Sequence, residues 1–503
     1  MKPVFRREQL PTRSRYHYKI NSFDGIEADK DTATVSLNTA QYGFNIGIKD
    51  GNLINGPGIN TAEAVLGNGT MRTIPDLGAF VTGVKQPYLY RRYNAATGVR
   101  DDRIVVLGTD RYLYQSNVNS GNFARLADVP RLLDEEVSFC NYCFDGEDVL
   151  LILTEEGGMY VYDGSAATYY ADAPKLRSVC MHYERLFGSD AQNPSRLHFS
   201  NDLDPTDWTI ATDGAGYIDF MDEGGAIIKV ISFKDAIYIF REHSIVRLSA
   251  YVNPEDYSVS KVFYTSCFIS SESIVSENGI VFFMADNFLY SFDGYRASRI
   301  FSGVTALFAD TSCISACCFK NKLYIAAMLK TENDSAGADE DVTDGIQYNN
   351  GFVEIDLLGG GVSVFRGTSV RGFFPLVADS VSELLVYFGN FRMGYFGKIT
   401  DSGNLFGSPL NKVWKSPVSN LGSLDKIKAL RRIYISSKYG IHVETAVDGQ
   451  KREIQAYGSD KPSMLPLSLV GDSAYLKLST QNDKIFVSSV NFEFDTVRRY
   501  HAD

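Results

Sequence analysis

The side chains able to do chemistry are sparse and scattered in this chain. Its six histidines are His17, His182, His198, His243, His442 and His501. None belongs to an H-E-x-x-H pair, in which two imidazoles on one helix face would hold zinc beside a general base. Each reads as a hydrogen-bonded structural group. Cys140 and Cys143 form a C-x-x-C. On a strand these two thiols point to opposite faces, and no second such pair completes a four-ligand site; Cys313, Cys317 and Cys318 have the wrong spacing. With Cys180 and Cys267 the cysteines number 7, an odd count that fits buried thiols better than a disulfide framework. No Walker A string and no G-x-S-x-G elbow occur, and the Asp-box of propeller glycosidases is absent; only 2 Trp are available to stack sugars. Glu332, Asp334, Asp339, Glu340, Asp341 and Asp344 crowd one segment, but without the regular ligand spacing and glycine turn of a calcium loop. The segment reads as a solvated acidic loop. We expect no catalytic centre, no cofactor and no metal.

The most distinctive string is Asn201–Trp208, NDLDPTDW. Asp204-Pro205 and Asp207 favour a tight turn, and Trp208 offers a large apolar face to lock that turn onto the body of the protein.

What must hold such a turn is a repeated β unit. Short apolar runs begin near 104, 149, 196, 236, 280, 323 and 384, separated by 45, 47, 40, 44, 43 and 61 residues. The long last interval contains the acidic insertion 331–350. Each run is followed by a Tyr-rich strand and flanked by a further strand on either side, with hairpin signals such as Asp163-Gly164 and Asp293-Gly294. Three or four strands every ~45 residues describe a propeller blade, which buries its faces only by stacking on neighbours and escapes open ends by closing a ring. The predicted fold is all-β: a β-propeller over 85–404, seven-bladed by the count of runs, with six or eight blades also open because the third unit is the least regular, preceded by an extended N-terminal arm with short strands (1–84) and followed by a C-terminal β-sandwich (405–503). Five alternating strands between Arg431 and Asp495 point to the sandwich.

The chain has 503 residues, 44% of them hydrophobic, and a formal net charge of -12. The hydrophobic fraction excludes global disorder, and the acidic balance argues against sequence-specific DNA binding, which needs a basic surface. No run of 18 apolar residues spans a membrane, and the N-terminus lacks the apolar stretch of a signal peptide; synthesis in a cytoplasm is expected. The basic residues of the N-terminal arm, Arg6, Arg7, Arg13 and Arg15, are candidates for docking in an assembly.

Three strings resemble the virion proteins of tailed bacteriophages, in particular the packaged-DNA stabilisation (nozzle or hub) proteins of short-tailed phages. The first is Leu186–Thr209 with the following Phe233–Glu242. In it Arg196, Phe199 and Ser200 match an R-x-x-F-S strand, and Asp204, Pro205 and Trp208 match D-P-x-x-W. The opening segment FDGIEADKD…GFNIGIKDGNLINGPGI and the C-terminal segment from Trp414 are similar to that family as well. The resemblance implies a non-enzymatic ring, a homo-oligomer and specifically a hexamer, at the end of the tail channel. Its partners would be portal or adaptor and other tail proteins, with packaged DNA nearby and not sequence-specifically bound. Two other roles are open to the same residues: a tail-tip or adsorption protein of a long-tailed phage, and a propeller hydrolase acting on surface glycans.

Overall fold

The computed structural model describes residues 15–28, 36–61, 63–65, 71–73, 83–94, 97–118, 123–211, 214–251, 253–332, 349–378, 381–388, 396–422 and 426–498. The predicted arm residues Arg6, Arg7 and Arg13, and the acidic loop from Asp334 to Asp344, lie outside the described residues.

Six consecutive four-stranded antiparallel meanders span 84–125, 138–170, 176–219, 227–264, 275–299 and 308–366. A seventh begins with Gly372–Ala378, Val381–Tyr387 and Gly397–Thr400. Its next strand comes from the other end of the chain: Gly58–Thr61 pairs antiparallel with Gly397–Thr400. Each meander is a blade, and each neighbouring pair shares its own apolar seam. Tyr90 and Leu107 meet Ile152 between the first two blades. Leu89, Ile104 and Val106 meet Phe374, Leu376 and Leu385 between the first and the last, which closes the ring.

The second strand of a blade explains why the sequence reads as continuous apolar runs. In Glu147–Thr154, Leu150 and Ile152 face the preceding blade, while Val149, Leu151 and Leu153 face the following one. In Ala236–Arg241, Ile237 and Ile239 take one side, and Tyr238 and Phe240 the other. A strand buried on both faces loses the polar alternation of a half-exposed one.

The Asp-Gly hairpins form as predicted and also dock blades together. Asp163 Oδ1 accepts from Ser165 N (2.6 Å) and Ala166 N (2.8 Å), and Gly164 takes φ 93°. The Gly164 carbonyl accepts from Arg103 of the preceding blade. Asp293-Gly294 repeats the device: the Gly294 carbonyl accepts from Tyr238 Oη at 3.0 Å.

The third unit departs from the expected register. The apolar run taken to start it, Arg196–Phe199, is the third strand of its blade. The second strand is Arg185–Asp190, joined to Leu176–His182 by a two-residue turn at Tyr183-Glu184. That turn lacks Gly, Asn or Asp, so both strands read as one stretch.

The C-terminal strands form a sandwich into which the N-terminal segment is woven. One sheet contains Ser463–Gly471, Lys426–Ser437 and Val487–Arg498, with Arg15–Ile20 and Asn52–Asn55 also on Val487–Arg498. The other runs Tyr42–Phe44, Lys412–Lys415, Ala474–Thr480, Ile441–Val447 and Gln450–Ala456. Its core is continuous with the seam between the fifth and sixth blades, where Phe23, Phe44 and Trp414 meet Val353 and Val364.

Lys412 is buried where the sandwich meets the last blade. Its Nζ donates to the carbonyls of Asn482 (2.9 Å) and Leu410 (3.2 Å), and burial pulls its pKa down to about 8, with Asp483 opposing. A folded pKa below the unfolded value of roughly 10.4 means that the unfolded chain binds more protons between those values, so stability rises with pH across that window. Between pH 7.5 and 10.5 the wild type is expected to gain about 2–3 kcal/mol on a Lys412→Met control. Parallel urea titrations check this; equal pH slopes would refute it.

Candidate functional site

The family-like string lies at the seam between the third and fourth blades. Its members divide into those that hold the blade and those that shape its surface. Phe199 is buried and packs its ring against Phe187 and Tyr257 at 6.0 and 5.4 Å. Ser200 Oγ accepts from Leu186 N at 3.1 Å and donates to the Asn201 carbonyl at 2.9 Å. Arg196 makes a two-pronged bond to Asp219 (2.7 and 2.9 Å), with its guanidinium 3.7 Å over the Tyr217 ring. Asp204 Oδ1 closes the turn, accepting from Thr206 N (2.8 Å) and Oγ1 (2.7 Å), and Pro205 is buried. Trp208 packs toward the seam between the second and third blades, as a lock for the turn. All six residues are thus accounted for as architecture. Arg15, the described member of the arm, pairs opposite Asp495 at the sandwich edge, far in sequence from this turn.

Beside the turn lies a cavity of about 440 Å³, a volume suited to a small ligand or one inserted side chain. Its walls are the hairpin turn Tyr183-Glu184 with its neighbours His182 and Arg185, Asp202 of the family-like string, and Tyr251 and Tyr257 from the outer connection of the fourth blade. Tyr183 takes φ 52°. The matching turns of other blades take the same left-handed conformation at Asp145, Lys234, Asn278 and Lys320. At this position only the third blade, among those described, carries an aromatic, and its ring is 56% exposed. A bulky left-handed residue is strained by of order 1 kcal/mol or more.

The charges around the cavity are unbalanced. Arg185 is buried and committed to the carbonyls of Ser200 (3.0 Å) and Gly214 (2.9 Å), with Asp202 3.8 Å from its Nε. Glu184, Asp202 and Asp204 stand close enough to Tyr142 that, after burial, they are what pushes its phenol up to about 12. His182 is 4% exposed; its Nδ1 lies 2.9 Å from Ser232 Oγ of the fourth blade, and its Nε2 has no hydrogen-bond partner. Burial pushes the imidazole pKa down, against the pull of Asp235, so the ring is held neutral. Tyr183 covers it at 4.4 Å between centroids, and Tyr251 continues the aromatic surface 6.0 Å beyond Tyr183.

Sequence reasoning picked out the string that contains Asp202, but none of its six motif residues lines this cavity, and it read His182 as structural only. Its one available signal was a Tyr where other blades turn on Asp, Asn or Lys. The C-x-x-C thiols sit as expected for a strand: Cys140 is buried, its thiol pushed up to about 12, and Cys143 is exposed. Among the described residues no three His, Cys, Asp or Glu side chains gather as a metal site, and no helix is long and apolar enough to cross a membrane.

No known family's sequence profile matches the chain, and no curated protein matches it. Solved structures that it is similar to include BBS1N in complex with ARL6DN, at 12% identity and a TM-score of 0.41, covering 68% of this chain and 96% of that one. Another is BamB from Moraxella catarrhalis, at 10% identity and a TM-score of 0.34, covering 59% and 81%. A third is Raptor from Chaetomium thermophilum, at 10% identity and a TM-score of 0.43, covering 68% of this chain and 29% of that one.

Proposed function

We propose that this chain is a structural subunit of a tailed-phage virion: a ring-forming tail nozzle or hub that closes or extends the DNA channel and retains the packaged genome. The observation that supports the reading is how its family-like strings are joined. The N-terminal and C-terminal strings, separate in sequence, share one sheet: Gly43 pairs with Trp414, and the Trp414 ring meets Phe23 edge-on at 5.1 Å. The N-terminal string also supplies Ile59 to the ring closure. The resemblance therefore falls on the elements that tie propeller and sandwich into one rigid body. A rigid body of this kind works by fit: the blades present fixed loops to neighbouring subunits and tail proteins. The formal net charge of -12 suits a passage for DNA, because an acidic surface repels phosphate and lets the duplex slide.

The expected result is a hexamer by native mass spectrometry of the full-length chain, and labelling of the tail by an antibody against the chain in purified virions. A monomer that depolymerises surface glycans, together with unlabelled virions, would replace this reading with the hydrolase.

A further inference from the structure

The cavity between the third and fourth blades has a composition that specifies what it holds. Its side-chain acceptors are the carboxylates of Glu184 and Asp202, the latter 3.8 Å from Arg185 Nε. Its cation, Arg185, is committed to two backbone carbonyls and lies beside Asp202, so one carboxylate of the pair Glu184 and Asp202 is left in excess. The remaining lining is Tyr183, Tyr251 and Tyr257 with Phe187 and Ala250. Carboxylates beside tyrosine rings match a group that only donates and is positively charged. An arginine guanidinium carries five N–H donors, no acceptor, and a planar cation that stacks on aromatic rings. A carboxylate or phosphate ligand would meet Glu184 and Asp202 with the wrong sign.

A source of such groups lies in the chain itself. Residues 1–14 carry Lys2, Arg6, Arg7 and Arg13 against a single acid, Glu8, in a chain whose formal net charge is -12. The segment starts from Arg15, which is fixed opposite Asp495 on the sandwich, and the sandwich core joins the fifth and sixth blades, not the third and fourth. We infer that the cavity beside Tyr183 is the socket for an arginine of the N-terminal segment of a second copy of this chain, so that ring assembly proceeds by arm exchange between subunits. The inference rests on the self-assembling role proposed above and adds the receiving site and the chemistry of the contact.

The test uses a fluorescent peptide of residues 1–14 and the chain lacking those residues, a deletion that removes none of the described elements. Anisotropy should report saturable binding. Asp202→Asn and Tyr251→Ala, both surface changes outside the blade cores, should each weaken it by roughly tenfold or more, and a peptide with Arg6→Gln, Arg7→Gln and Arg13→Gln should not bind. In sedimentation velocity, full-length protein should assemble, while the deletion and the Tyr251→Ala variant should remain monomers with unchanged melting temperatures. No peptide binding, or binding that both variants leave intact, would overturn the socket. A full-length monomer that refuses the peptide would also overturn it, because the arm would then be folded back onto its own subunit. Peptide binding by a chain that antibodies do not find in virions would sink the virion reading alone.

Discussion

Ile59→Asp is expected to abolish the closed ring, with a loss of at least about 4 kcal/mol and accumulation of the chain in insoluble or protease-sensitive form. Ile59 is fully buried and lies in the seam between the last two blades with Phe352, Val386 and Phe388. It pairs opposite Ile399, and its carbonyl accepts from Phe406 N at 2.7 Å. The site has no slack: a Cβ added at Gly397 would sit 2.4 Å from Ile59 Cγ2. A carboxylate there has no partner and no room to reach water. It also breaks the strand that joins both ends of the chain, so the damage spreads beyond one side chain to the unpaired edge of Gly397–Thr400. Ile59→Val, which removes one methylene, should cost only about 1 kcal/mol. Denaturant titration and limited proteolysis of both variants check the expectation. An Ile59→Asp protein within ~1 kcal/mol of wild type would mean that the last blade holds without its N-terminal strand.

The second large effect is expected at Arg241. Its side chain is 0% exposed and ties down the linker from the third blade to the fourth. Nε donates to the Gly225 carbonyl at 2.9 Å, the outer nitrogens reach the carbonyls of Phe220 and Asp222, and the guanidinium pairs with the Asp222 carboxylate. Arg241→Leu keeps the bulk but leaves these acceptors unmatched; Lys261, 2.5 Å from Asp222, still compensates part of the charge. A loss of about 2–4 kcal/mol follows. The pH dependence gives a second readout. The Lys261 bond, and after it the Arg241 bond, holds the Asp222 carboxyl below the usual carboxylate range, with burial opposing. A depressed carboxylate contributes stability that is present above its unfolded pKa of roughly 3.9 and lost as pH falls through the folded value. Wild type should therefore lose more stability than Arg241→Leu on acidification below about pH 4. Parallel losses would show that the pair is electrostatically idle.

The fold was legible where each unit contains its own pattern. The second strands of the blades are apolar on both faces because both faces are seams, and Asp163-Gly164 and Asp293-Gly294 mark their turns by chemistry that acts over two or three residues. Legibility failed where the determinant is not local. Tyr183-Glu184 turns the chain without a turn residue, so the third blade's first two strands merged into one and its unit was placed one strand late. The pairing of Gly58–Thr61 with Gly397–Thr400, and of Tyr42–Phe44 with Lys412–Lys415, leaves no periodic signal, since the partners are strings of unrelated composition. The site divides the same way. Asp204 and Pro205 announce a turn, and they make one. The cavity beside it is built from two blades, and no single stretch of sequence contains both His182 and Tyr257.

The late partner of the N-terminal strand also sets the timing of biosynthesis. Asn60 meets Thr400, 340 positions further along the chain. At ribosomal rates of roughly 5–20 residues per second, that strand waits about 17–70 s for the residues it must join. During that interval six blades have emerged, with the first still lacking its neighbour on one side. The nascent chain thus carries two adhesive edges, and maturation is a single terminal event that premature termination anywhere before the last blade would forestall.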